Sequence, residues 1–423
     1  MGAHGHGHGH GHAGTGEELE PLSRRTRRAL TVVVLVVLAA ALAGVLATWP
    51  GEVPSASTTY VGAQTVRGEV TGTRMQTCRA ELAEERLPDG TMPDTVECPE
   101  ADVRVPDDVR VPDDAQGRDE ATREVTVTVP AAVFHGGLGA GDRVVLTRYP
   151  GEAGGEPAYT WEDVDRRLPL AVVLTVFVVL TVAVGRRRGL AALAGLAVGG
   201  SAIAFHVVPA LLAQENAVVV GLSSAVAVMG VVLYLTHGFS ARTTVAYLGT
   251  VAGLLVTAGA AVLAVDAAHL TGLSEENAYT VTVVTGAVDL RGVVLAGTLV
   301  AALGLLNDVT ITQAAAVWEV RAARGGGFRD LFAAGMRVGR DHLASTVYTV
   351  TFAYAGAAMP SLLLIELFDQ PAGQLVNSSA IAEELVRSAV GGIALALTVP
   401  VTTALAAALA LRSQPAPARG SGT

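Results

Sequence analysis

Lysine is absent from the 423-residue chain, whose 29 basic residues are all arginine. We read this as codon bias and attach no mechanism to it. The functionally telling absences are of motifs. There is no H-E-x-x-H helix, no G-x-S-x-G in an apolar segment, no phosphate loop and no dinucleotide fingerprint. The chain is therefore expected not to be an enzyme and to have no nucleic-acid partner, and ATP-driven work would need a separate energising subunit. Gly139-Ala140-Gly141-Asp142 spells the G-x-G-D of intramembrane aspartyl proteases, but it lies in a polar stretch with no second aspartate at matching depth. A turn is expected there. Cysteine is nearly absent: Cys78 and Cys98 stand alone, too few for a thiolate metal site. In an oxidising compartment they are expected to form a disulfide, worth on the order of 3 kcal/mol for a loop of that length.

What the chain has in quantity is apolar length. Half of it is hydrophobic (51%), with 48 glycines and a mean hydropathy of +0.46. Eight segments are long enough to span a bilayer: Ala29 to Thr48, Leu168 to Val184, Leu190 to Leu212, Ala217 to Thr236, Thr243 to Val265, Gly292 to Val320, Leu343 to Ile365 and Ser388 to Leu411. Arg24, Arg25, Arg27, Arg28, Arg186 to Arg188, Arg242, Arg321, Arg324, Arg329, Arg337, Arg340, Arg412 and Arg419 all fall on one side of an eight-span path. Only Arg291 and Arg387 border the other side. By the positive-inside rule both termini are expected in the cytoplasm. The first span lacks an A-x-A site, which favours an uncleaved anchor over a signal peptide.

Acidity is confined to one region: Gly51 to Leu168 holds 23 acidic residues against 12 arginines, while the remainder holds 16 against 17. The expected organisation is a cytoplasmic tail (1–28), a first span (29–48), an extracytoplasmic β domain (51–167), a seven-span domain (168–411) and a short tail (412–423). Within the β domain, Thr58 to Val70, Arg123 to Val133 and Arg143 to Tyr149 alternate like strands, with a turn at Gly136 to Asp142, predicting a small barrel or sandwich. Val103 to Asp114 repeats Val-Arg-Val-Pro-Asp-Asp and reads as a loop or extended arm. Its aspartates, Asp107, Asp108, Asp113 and Asp114, are oxygen donors suited to calcium, though a solvated acidic loop is the stronger reading.

At the other end, His4, His6, His8, His10 and His12 alternate with glycine in a tail too short to bury anything. Such imidazoles can wrap zinc, nickel or copper at low specificity, and an engineered tag is the competing explanation. No other cofactor is expected.

The polar residues inside apolar runs are the candidate site. Asn307 and Asp308 interrupt Gly292 to Val320, and a carboxylate at that depth is a functional hypothesis by default. Gly297, Ala301, Gly304, Asp308, Thr312, Ala315 and Glu319 share one helical stripe, whose small residues predict a closely packed helix neighbour. Asp308 and Thr312 would then face protein, either as interhelical glue or as a working group. Gly195/Gly199 and Gly249/Gly253 read as further packing stripes. Ala278 to Val288, bordered by Glu276, Asp289 and Arg291, is too short to span and reads as interfacial or re-entrant. Arg340 and Asp341 enter the seventh span, with Ser345, Tyr348 and Thr349 on one face beyond them.

These residues resemble the YibE/F family of bacterial membrane proteins. The resemblance runs through Gly238-Phe239-Ser240, Gly249-Thr250, Gly272-Leu273-Ser274, Asp289-Leu290-Arg291-Gly292, Ala302-Leu303-Gly304, Asn307-Asp308-Val309 to Glu319, Gly339-Arg340-Asp341-His342 and Ala353-Tyr354-Ala355-Gly356 before Pro360. It covers about Arg166 to Leu411, and more weakly Gly141-Asp142-Arg143-Val144. Tyr348 departs from the family pattern, which has asparagine there. The resemblance implies a multi-pass protein of the bacterial cytoplasmic membrane with an extracytoplasmic β domain, and it implies no biochemical activity.

Two functions remain open on the sequence. One is a permease for a small solute or ion, coupled to protons through Asp308. The other is a non-catalytic envelope assembly protein or scaffold, binding a partner through residues 51–167. Homo-oligomerisation is compatible with both.

Overall fold

The computed structural model describes residues 22–51, 63–79, 95–106, 122–151, 155–273, 281, 288–367 and 371–413. The histidine tail, Asp107 to Asp114 and nearly all of the 274–288 segment, including Glu276, lie outside them. The chain forms two units, Ser57–Leu180 and the combination of Met1–Ala56 with Thr181–Thr423.

The first unit is built on an antiparallel sheet of β1 (Gln64–Arg79), β2 (Thr95–Pro106), β3 (Thr122–Thr128), β4 (Arg143–Tyr149) and β5 (Ala158–Val164), with a short helix α2 (Ala131–His135) between β3 and β4. The order is β3-β2-β1-β4-β5. β1 is long enough to pair with β4 through Gln64 to Glu69 and with β2 through Glu69 to Arg79, bending at an irregularity between Val70 and Gly72. The two edge strands approach each other, curling the sheet toward closure. Strand order and helix position together match the Greek-key path of an OB-fold barrel. Inside lie Val70, Ala101, Val103, Val105, Val127, Val144 and Leu146.

This corrects the reading of Val103 to Asp114 as an arm. Through Pro106 it is strand, with Val103 and Val105 fully buried, and the proline ends the strand where no further ladder donor is needed. The expected strand Arg123 to Val133 stops at Thr128, because Pro130 turns the chain into α2.

Cys78 and Cys98 form the expected disulfide, joining β1 to β2 with Cα atoms 5.8 Å apart. Cys98→Ala is expected to lower the sheet unit's unfolding free energy by about 3 kcal/mol, and a denaturant titration of the full chain under oxidising conditions measures it. On the sheet's outer face Arg74 lies 2.7 Å from Glu100 and 2.5 Å from Asp102. Thr126 donates to Asp102, and with Arg74 it holds that carboxyl below the ordinary carboxylate range.

The second unit is helical: α1 (Arg24–Ala47), α3 (Arg167–Ala202), a π-turn (Ile203–Val207) running into α4 (Val208–Leu212), α5 (Ala217–His237), α6 (Ala241–Ala267), α7 (Leu290–Arg324), α8 (Phe328–Ala357), α9 (Met359–Leu367), α10 (Ala372–Val376) and α11 (Ser379–Ala410). The first part of α3, through Leu180, falls in the sheet unit. Six helical runs are long and apolar enough to cross a membrane, so this is a membrane protein. The second and third expected spans are one run, Arg167–Leu212, broken at Arg186, which adopts φ 49° and ψ −127°. The seventh, Leu343 to Ile365, is divided between α8 and α9 around Ala358, just before Pro360, and is not among the six.

Glycines set the closest helix contacts. Gly249 and Gly253 of α6 lie against Thr402 and Thr398 of α11, and Gly195 of α3 lies against Val232 of α5. Where lysine-free loops were expected to separate α7 from α8, only residues 325–327 connect them. Gly325 and Gly326 take positive φ there, which side chains disfavour.

His206 is buried in the π-turn, a residue the sequence reading passed over. Its Nε2 lies 3.2 Å from the Val45 carbonyl and its Nδ1 lies 2.9 Å from the Ser224 hydroxyl. A carbonyl only accepts, so Nε2 carries the proton and Nδ1 accepts from Ser224. The ring also stacks on Trp49. The end of α1 is thereby tied to α5. His206→Ala is expected to cost about 1–3 kcal/mol by leaving these groups unpaired, seen as a lower melting midpoint in detergent.

Candidate functional site

α7 is helical because alanine, leucine and valine dominate it, and its threonines satisfy themselves locally. Thr298 donates to Val294, and Thr312 donates to the carbonyls of Asp308 and Val309. Its buried face carries Val294, Thr298, Ala302, Leu306, Val309, Thr310, Gln313 and Val317. The stripe of Asp308 is not that face. Gly297, Gly304, Asp308, Thr312 and Glu319 are exposed, and nothing lies within 4 Å of where a Cβ would sit on Gly297 or Gly304. The expectation that α7 packs through this stripe is overturned. Both faces of the helix are rich in small residues, and the leucines, valines and Gln313 go to the other one.

Asp308 does meet a neighbour, on α8. Its carboxylate lies 3.5 Å from Nε2 of His342, with side chains 69% and 32% exposed. The ring nitrogen makes no hydrogen bond at that separation, and the buried Oδ1 of Asn307 is likewise unpaired. The pairing depends on how α8 docks. Gly335 and Gly339 let its first half lie against Val317, Gln313, Thr403 and Val399. Gln313 fastens the contact, donating at 2.7 Å to both the Gly335 carbonyl and the Thr403 hydroxyl. Deeper in the core, the hydroxyls of Thr250 and Thr310 lie 2.8 Å apart.

The second half of α8 carries no buried residue beyond Gly339. Between it, α7 and α11 opens a cleft of about 290 Å³, lined by Thr298, Ala301, Leu305, Val350, Tyr354 and Arg387. Leu305 is one turn from Asp308 on α7, and Val350 is two turns from His342 on α8. At its edge the Arg387 guanidinium lies over the Tyr354 ring and pairs with Glu384 at 2.5 Å, leaving the buried Oε2 of Glu384 without a hydrogen bond.

A family model described as YibE/F-like protein matches residues 173–412. The chain belongs to the YibE/F-like family. No curated protein matches it, and no solved structure does. In this YibE/F-like protein, two stretches that are distant in sequence and carry the family pattern, Asn307-Asp308 and Gly339 to His342, lie side by side.

The other expected site residues are elsewhere. Glu319 pairs with Arg242 at 3.4 Å, and Arg291 pairs with Asp266. Asp289 stands at the start of α7 without capping it. Ser345, Tyr348 and Thr349 are all exposed, and Thr349 donates to the Ser345 carbonyl. The α8 residues turned inward are His342, Thr346, Val350 and Tyr354. Arg340 and Asp341 form no ion pair with each other or with another described residue at 4.0 Å or less, so they are not a helix-end anchor. Among the described residues, no three histidine, cysteine, aspartate or glutamate side chains are grouped to hold a metal.

Proposed function

We propose that this YibE/F-like protein is a permease for a small solute or ion, with its path along the cleft between α7, α8 and α11. The observation that carries this reading is the placement of a titratable pair, Asp308 and His342, at the inner end of a cleft whose walls come from apolar helices. A carboxylate at that depth can take up and release a proton as its surroundings alternate, which is what coupling requires. We place the protein in the bacterial cytoplasmic membrane with eight spans and both termini cytoplasmic, on the arginine distribution, and the sheet unit outside. Flux through proteoliposomes carrying Asp308→Asn, measured beside wild type, is the test. Equal flux removes Asp308 from the mechanism.

The rival is a scaffold acting through the sheet unit, favoured by that unit's own core and its charged outer face. Deleting Thr58 to Tyr149 separates the two readings. Loss of an envelope partner with no flux from any variant supports the scaffold, whereas retained flux supports the permease.

A further inference from the structure

The exposed side of α7 and α8 is chemically unfit for lipid. Gly339 lies against Gln313 and Val399, and His342 lies beside Asp308, so Arg337, Arg340 and Asp341 are held alongside the apolar middle of α7 and not beyond its end. All three are exposed, as is Asp308. Arginines can reach toward a headgroup along their stems, but aspartates are too short to do so. Next to these charges run Gly297 and Gly304, bare of any neighbour, where another helix could approach closely.

Nothing elsewhere in the chain has the right charge to cover this face. The stretch of α3 from Leu168 to Gly185 offers only aliphatic residues, one phenylalanine and the hydroxyls of Thr175 and Thr181. α1 is aliphatic through its apolar run and lies on α5. Residues 274–287 contain two glutamates and no base. The face itself carries both signs, two aspartates and two arginines, and is therefore complementary to a copy of itself turned by a two-fold axis.

We propose that a second copy of this chain covers the stripe of Gly297, Gly304 and Asp308 together with the exposed flank of α8, the arginines of each copy neutralising the aspartates of the other. The Asp308 site is then completed by the partner, and the path along the cleft runs beside the seam between two copies. The inference rests on exposed charge and not on transport, so a failure of the flux test leaves it standing.

Co-expression of full-length chains bearing two different affinity tags tests it. Wild-type chains are expected to co-purify. Asp308→Arg chains repel one another, as do Arg337→Asp/Arg340→Asp chains, and each is expected to lose self-association at least tenfold. Together these two variants match charge at both contacts, so the mixed pair is expected to recover to within about twofold of wild type. A wild-type monomer, or undiminished self-association in either variant, overturns the proposal. Because a charge reversal can itself misfold, Gly304→Cys in the otherwise native chain gives a second reading. The two native cysteines are already bonded, so mild oxidation in membranes is expected to link two chains at position 304. Val231→Cys, on the exposed side of α5, is expected to stay unlinked. Absence of the 304 cross-link overturns the proposal whatever the charge variants do.

Discussion

Asp308→Asn is expected to lower proton-coupled flux at least tenfold while leaving the protein folded. Asparagine keeps the volume and the hydrogen-bonding reach of aspartate but cannot exchange a proton. Nothing in the core depends on the carboxylate, whose one charged neighbour is His342 at 3.5 Å. A drop in flux therefore reports on protonation and not on packing. Asp308→Glu retains the titrating group and is expected to keep a substantial part of the activity. His342→Gln, which removes the neighbouring base but leaves the acid, should fall between the two. The measurement is substrate flux into proteoliposomes with and without an imposed pH gradient. If the Asp308→Asn protein responds to the gradient as wild type does, Asp308 is a fixed polar contact.

Gly253→Leu is expected to cost about 3 kcal/mol or more, the upper range for overpacking a close contact. A Cβ at Gly253 would run into Thr398 of α11 and come within 2.9 Å of Leu306 of α7, at a point where three helices meet. The helices cannot separate there without also disturbing Gly249 against Thr402. Gly259 lies on an open side of the same helix with nothing within 4 Å. Gly259→Leu is expected to be neutral or stabilising by up to about 1 kcal/mol, because leucine is the better helix former. Melting midpoints of the two variants in the same detergent check both statements. Equal midpoints would mean that α6 and α11 are not in contact in the membrane.

The spans and β4 were legible because long apolar runs and strict alternation leave few competing structures. The disulfide was legible because only two cysteines exist. β2 was not, since Pro106 and the aspartates after it are loop signals, and they outweighed Val103 and Val105, which proved to be core. The stripe on α7 shows a different limit. Periodicity groups Gly297, Gly304 and Asp308 on one face, but it does not say which of two small-residue faces meets a neighbour. His342 was missed because it follows Arg340 and Asp341, so the whole cluster read as the rim of a span when α8 begins far earlier, at Phe328. Gln313 and His206 are single polar residues in apolar helices, and their partners come from segments far away in sequence.

The π-turn at Ile203 to Val207 has a consequence for helical phase. One extra residue in a turn advances everything after it by about 100° relative to a continuous α-helix, so α3 and α4 present their faces on two different azimuths. That offset lets Gly195 look toward α5 while His206, eleven residues later, reaches both Ser224 and the end of α1. An uninterrupted helix would have to choose one of these neighbours. The bulge therefore acts as a dial between two packing partners, and losing a single residue from it would re-aim the whole segment down to Leu212.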